Sequence, residues 1–273
     1  DPQFHCIPTD TLYMTIDKAA VRRSGMMMPT DSIPDRMAIS LVGKDGLMKS
    51  DIMMLEMIAN CNWTRPLYVA ITVGSDNFMN LGDNFIQEGL LNRITPFNTR
   101  KGGSFDSEKT YNVMMNKFRW GGVATKGVYL DETVIRMCYT HRREMAQLAM
   151  NLILEGKKDK ALKVLEKAEK VLPTYNVKGG PIMADAYYML GKKAKAEAMY
   201  NDMWKTSVQY IRYYLSLPER TFNMNMSSCA MHLQILYQYI RANEQNNPQW
   251  ANAHNAELMG MLKAYEAKGG KMQ

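Results

Sequence analysis

Two stretches in the second half of the chain share one spacing, and that spacing narrows the available folds more than any other feature. Gly156 and Gly191 stand 35 positions apart, as do Ala161 and Ala196. The first copy, Met145 to Pro173, reads MAQLAMNLILEGKKDKALKVLEKAEKVLP; the second, Gly180 to Met203, reads GPIMADAYYMLGKKAKAEAMYNDM. In each, apolar residues recur at helical spacing on both sides of a glycine, the pattern of two helices joined by a tight turn. Such a period belongs to helix-turn-helix solenoids, in which one pair cannot bury its apolar face alone and stacks on the next. Leu148, Ala149 and Leu152 are expected to pack one helix of the first copy, and Ala161, Leu165 and Ala168 the other. Met183, Ala184, Tyr187, Ala196, Tyr200 and Met203 take these places in the second.

This small-and-large packing pattern resembles that of tetratricopeptide repeats. The array is irregular, however. The link from Leu172 to Pro181 is long, and the second helix of copy two is expected to continue to about Leu217. Two further helices, about 223–245 and 248–267, are split by Asn246, Asn247 and Pro248 and form a third pair. Ahead of this helical part the signals are mixed. Thr11 to Asp17 alternates like a strand, Ala19 to Gly25 reads as a short helix, and Pro29 to Pro34 as a turn. Met37 to Gly43 suits a strand, Lys49 to Ala59 a helix, and Leu67 to Val73 a short buried strand. Asp83 to Arg93 and Glu108 to Lys117 are predicted helices. The expected fold is therefore α+β: a mixed α/β domain over residues 1–130, then an all-α tetratricopeptide-like array over 131–273.

Composition excludes several classes of function. A chain of 273 residues with 46% apolar and 22% charged residues can build a large core. No apolar run approaches the ~20 residues that span a bilayer, and Asp1-Pro2-Gln3 has no signal-peptide character, as in an excised or mature segment. The net charge is +7, and the lysines between Lys157 and Lys170 are interleaved with glutamates and apolar residues, the pattern of a solvated helix face. Without an arginine-aromatic cluster, nucleic acid is not an expected partner. Cys6, Cys61, Cys138 and Cys229 lack metal-ligand or disulfide-framework spacing and read as buried small residues. The 25 methionines, many at helical spacing, read as core filler.

Motifs for chemistry are scarce. There is no GxSxG elbow, GxGxxG turn or GxxxxGK[ST] loop. His5, His141, His232 and His254 sit in unrelated contexts, and Gly102-Gly103 and Gly121-Gly122 read as loop turns. No catalytic residue, cofactor or metal is expected. The nearest acidic constellation is Asp76, Asp83 and Glu88, which a carbohydrate-active enzyme would have to bring to a fixed separation. The Asn62-Trp63-Thr64-Arg65-Pro66 corner places Trp63 to plug the core and Arg65 to pair with a carboxylate or carbonyl; as an alternative, an aromatic ring and a guanidinium suit a glycan or peptide subsite. Phe118 and Trp120 alternate with Lys117 and Arg119, as in a half-exposed strand or ligand rim. Candidate binding residues are thus Trp63, Arg65, Asp76, Asn77, Glu88, Arg93, Lys117 and Trp120, with Tyr187, Tyr210 and Tyr214 on the helical array.

Several segments, taken together, resemble one family. They are LYMTIDKAAVRRSGMMMP from Leu12, KSDIMMLEMIA from Lys49, NWTRPLYVA from Asn62, QEGLLNRITP from Gln87, YNVMMNKFRWGG from Tyr111 and VYLDETVIRM from Val128. In this order they are similar to the C-terminal region of the protein O-mannosyltransferase-like polytopic membrane proteins of Bacteroidetes. Val69-Ala70 and the missing leucine between Gln87 and Glu88 depart from that pattern. The resemblance implies a membrane-embedded glycosyltransferase using a lipid-linked sugar, with its catalytic acid in a preceding membrane part. This chain would be the extracytoplasmic, periplasmic accessory region at the bacterial inner membrane. Its implied partners are an acceptor protein or peptide and the membrane part of the same polypeptide. A free-standing tetratricopeptide scaffold and a soluble carbohydrate-active enzyme are the alternatives.

Overall fold

The computed structural model describes residues 9–26, 33–44, 46–99, 104–173 and 180–271. His5, Cys6, most of the Pro29–Pro34 turn, Gly102-Gly103 and the centre of the Leu172–Pro181 link lie outside them. The chain divides into two compact units, Asp1–Lys117 and Phe118–Gln273. The first is mixed and the second helical, so the fold is α+β.

In the first unit β1 (Thr11–Thr15) and β2 (Arg36–Ser40) pair antiparallel, with Tyr13 opposite Ala38. Between them runs α1 (Lys18–Arg23), whose N-terminus is capped by the Asp17 carboxylate accepting from the Ala19 and Ala20 amides. Then comes α2 (Lys49–Asn60), which turns Leu55 and Ile58 into the core. Its other face leaves Ile52, Met53 and Met57 more than half exposed, so those methionines are not core filler. Helical spacing marks a stripe but not which stripe is buried. The corner that follows holds Asn62 at φ 44° and Trp63 at φ 58°. Two successive left-handed residues reverse the chain tightly and drive the indole of Trp63 into the core cluster.

A three-stranded antiparallel sheet in the order β3-β5-β4 completes the unit, built from β3 (Tyr68–Ala70), β4 (Phe85–Glu88) and β5 (Leu91–Ile94). Here the sequence expectation fails. Asp83 to Arg93 is no helix but a 3-10 turn followed by a β-hairpin with Glu88 opposite Leu91. The apolar set Ile86, Leu90 and Ile94 has helical spacing by coincidence. What decides is the two-residue loop Gly89-Leu90, where Gly89 takes φ +75° as hairpin turns require. The Gly89 amide donates to Thr110 Oγ1 at 2.8 Å, which pins the hairpin to α3 (Ser107–Asn112). A π-helical turn, Val113–Lys117, ends the unit.

The second unit contains α4 (Glu132–Leu154), α5 (Lys158–Val171), α6 (Gly180–Met189), α7 (Lys193–Ser216), α8 (Glu219–Asn246) and α9 (Pro248–Ala267). Consecutive partners α4/α5, α6/α7 and α8/α9 pack on each other, and α4 also packs on α6. The 35-residue correspondence is physical. Leu148, Ala149, Leu152, Ala161, Leu165 and Ala168 are buried, and so are Met183, Ala184, Tyr187, Ala196, Tyr200 and Met203. Both turns also close in one way. The Lys157 amide donates to Leu152 O and Gly156 to Ile153 O, as Lys192 does to Tyr187 O and Gly191 to Tyr188 O, at 2.8 to 3.0 Å. This is the Schellman cap, and it needs a left-handed residue after the helix. Gly156 at φ +77° and Gly191 at φ +71° supply it.

Because a side chain at φ +77° is strained, Gly156→Ala is expected to destabilise the chain by about 1 kcal/mol. Gly260→Ala lies mid-helix with open space around it and is expected to stabilise by about 0.5–1 kcal/mol. Urea denaturation of both variants checks the opposite signs.

Candidate functional site

The first-unit candidates separate into a buried cluster and exposed residues. Glu88 is the centre of the cluster. Its Oε2 accepts from the Tyr68 hydroxyl at 2.8 Å, and its Oε1 accepts from Lys109 Nζ at 2.9 Å, with Arg93 Nη1 at 3.6 Å. Arg93 is buried and donates through Nη2 to Ser24 O at 2.9 Å, while Lys109 also donates to Gly25 O at 2.6 Å. Burial, then the hydrogen bond to Glu88, pushes the Tyr68 phenol up to about 12. Both Glu88 oxygens are thus engaged by cations and a phenol, which fits an architectural tie and not a proton donor at a glycosidic bond.

The other candidates in this unit do not join that cluster. Asp76 and Asn77 lie exposed on the 3-10 turn Ser75–Asn77. Trp63 is buried, as expected of a core plug. Arg65, by contrast, is exposed and forms no ion pair or hydrogen bond among the described residues, so the expected pairing is absent. Its position on the solvent side of the corner, after two left-handed residues, explains this. Lys117 is exposed at the end of the π-helical turn.

The second unit brings Trp120 into a different setting. Phe118 to Trp120 is irregular chain rather than a strand, because Gly121 at φ +60° and Gly122 at φ +73° fold the backbone back at once. The Trp120 ring meets Phe118 edge-on at 5.8 Å and His141 at 5.6 Å between centroids. Beside them opens a cavity of about 210 Å³ lined by Arg119, Trp120, Val123, Thr133, Val134, Met137, Cys138, His141 and Leu172. The Trp120 indole Nε1 is buried and has no hydrogen-bond partner among the described residues. His141 Nδ1 lies 2.7 Å from Met137 O and donates to it. Burial raises the Cys138 thiol, so it is neutral and a poor nucleophile.

Trp120 stands out in the sequence by residue type, but its partners do not. Val134, Met137, Cys138 and His141 fall at i, i+3, i+4 and i+7, one face of α4, and that stripe was the available signal. Leu172 arrives from the far end of α5 and carried none.

The tyrosines divide. Tyr187 is fully buried, with its hydroxyl donating to Glu169 at 2.6 Å and Lys195 Nζ 4.6 Å from its ring. Tyr210 is about half exposed and stacks on His232 at 4.6 Å and 11°, with Tyr214 half-buried beside it. Among the described residues no group of three His, Cys, Asp or Glu side chains could hold a metal ion. Likewise, no helix is long and apolar enough to cross a membrane.

Residues 1–115 match the family model described as TMEM260-associated domain 2, which is nearly all of the first unit and none of the second. No curated protein and no solved structure matches the chain.

Two outcomes follow from this geometry. Glu88→Ala leaves Arg93 buried without its carboxylate and is expected to cost about 3 kcal/mol. Arg65→Ala should stay within about 0.5 kcal/mol of the parent in the same denaturation experiment. Separately, burial holds the His232 imidazole below its ordinary 6.5, so protonation favours the unfolded chain. Its contribution is present above pH 6.5 and lost as the pH falls below that value. The melting temperature is expected to drop on acidification, and to drop less in His232→Phe.

Proposed function

We propose that this chain is a non-catalytic accessory region of a membrane glycosyltransferase of the protein O-mannosyltransferase-like kind. It would stand on the extracytoplasmic, periplasmic side of the membrane and position the acceptor protein or peptide for an active site in the membrane part of the same polypeptide. The observation that carries this reading is the match of residues 1–115 to the TMEM260-associated domain 2 model, joined to a unit of paired helices. The buried carboxylate of Glu88, engaged by Tyr68, Arg93 and Lys109, supports a role without turnover.

The paired helices of the second unit support a tetratricopeptide-like arrangement, since equivalent positions 35 residues apart are buried and both turns carry the same cap. Such arrays serve polypeptide recognition through their stacked faces. A free-standing interaction scaffold is the second reading, favoured by one observation: the repeat unit lies wholly outside the matched residues.

Kinetics of the full-length protein separate the two. Deleting residues 118–273 is expected to raise KM for the acceptor at least tenfold while KM for the lipid-linked sugar stays unchanged. An unchanged acceptor KM, or sugar transfer by the isolated chain, overturns the proposal.

A further inference from the structure

In the second unit, one side of α8 forms the floor of an open cavity. Asn223, Ser227, Ala230 and Gln234 fall within about 30° of one line along the helix, given its 3.6 residues per turn. Met226 and Met231 stand on either side of that line. Tyr265 of α9 and Lys271 beyond it complete the lining, and the Tyr265 hydroxyl lies 3.5 Å from Met226 O, which ties that wall to α8. The cavity has a volume of about 620 Å³, within the ~300–1,000 Å³ of ligand sites. Its polar groups are within a ligand's reach. Asn223, Ser227, Gln234 and Lys271 are exposed, and their side chains make no hydrogen bond or ion pair among the described residues.

This lining suits the polypeptide backbone. Asn223 and Gln234 carry side-chain amides, each with donors and an acceptor, which match the carbonyl and N–H of a peptide unit. They stand 11 residues apart on one helix, about 16 Å at ~1.5 Å per residue, the length of about five extended residues. Between them Ala230 keeps the floor low, and the flexible thioethers of Met226 and Met231 adapt to varied side chains. Lys271, the charged residue of the lining among the described residues, complements a carboxylate. A sugar would need an open ring face to stack on, and the ring here, that of Tyr265, is 1% exposed.

We propose that this trough on α8 clasps about five residues of an extended peptide by its backbone, with an acidic residue of the peptide paired to Lys271. Asn223 and Gln234 each exchange hydrogen bonds with a peptide unit, Ser227 Oγ supplies another, and the two methionines cover the peptide's inward side chains. Because the backbone is held, the trough tolerates varied sequences. The proposal rests on the reading of the chain as an acceptor-binding region, yet its test needs no glycosyltransferase activity. The ¹⁵N-labelled 273-residue chain is titrated with acetyl-Ala-Leu-Ala-Leu-Asp-amide while the side-chain amide signals of Asn223 and Gln234 are followed. Asn223→Ala and Gln234→Ala assign those signals. Both signals are expected to shift saturably, and the peptide N-methylated at its inner amides should bind at least about tenfold more weakly. Each alanine variant should weaken binding about three- to tenfold, and Lys271→Glu about two- to fivefold. Ser227→Trp, at an exposed position on the floor, should abolish the shift.

No shift at millimolar peptide overturns the proposal, as does equal binding of the N-methylated peptide, or binding unchanged in Ser227→Trp or in both alanine variants. Mannose moving the two amide signals while the peptide leaves them in place overturns it in favour of a sugar subsite. If the peptide binds as described but the acceptor KM of the full-length protein is insensitive to deleting residues 118–273, the trough stands and the glycosyltransferase role falls. If that KM rises while the peptide shifts neither signal, the role stands and the trough falls.

Discussion

The first unit depends on one buried carboxylate. Glu88 sits at the last position of β4, yet it joins β3 through Tyr68, β5 through Arg93 and α3 through Lys109. The two cations carry the tie onward to the carbonyls of Ser24 and Gly25 at the end of α1. A short three-stranded sheet has too little apolar face to specify its own neighbours. A buried ion set with fixed geometry can do so, because each misplaced element would strand a charge away from water. Both left-handed corners, at Asn62-Trp63 and at Met79-Asn80, then seal the core by burying Trp63 and Met79.

The second unit is organised differently, by repetition. The first two helix pairs each use a glycine cap, a small residue at the crossing and a large residue beside it. The sizes are exchanged between copies: Leu152 and Leu165 give way to Tyr187 and Tyr200. The tyrosines bring hydroxyls into the interior, and each is met, Tyr187 by Glu169 and Tyr200 by Asp185 at 2.7 Å. Burial together with that carboxylate raises the Tyr200 phenol, so it remains a neutral donor. The long continuation of α7 and the α8/α9 pair extend this polar-aromatic core, where the Trp250 indole donates to Asn201 at 2.6 Å and His254 stacks on Trp250 at 3.9 Å.

Much of the secondary structure was legible because it rests on local chemistry. The Asp17 and Asp131 caps, the glycine turns and the Asn247-Pro248 break all act within a few residues. The hairpin at Gly89 departs from the sequence expectation for a physical reason. Its apolar residues fit a helical period, while the deciding contacts, from the Gly89 amide to Thr110 Oγ1 and from the Gln87 amide to Ser104 O at 2.7 Å, are distant in sequence. The candidate site shows the same division. Trp120 announces itself by type, but its cavity exists only because α4 and the end of α5 converge on it.

The sequence by itself determined the helix pairs, their 35-residue period and the absence of recognisable reactive motifs, since each depends on residue type at short spacing. Tertiary structure alone decided which exposed or buried role each candidate plays. Arg93 and Glu88 became an internal tie, Tyr187 became core, Arg65 stayed in water, and Trp120 kept a buried N–H without a protein partner. Those outcomes depend on what packs against a side chain from far along the chain, and local propensity carries no information about that.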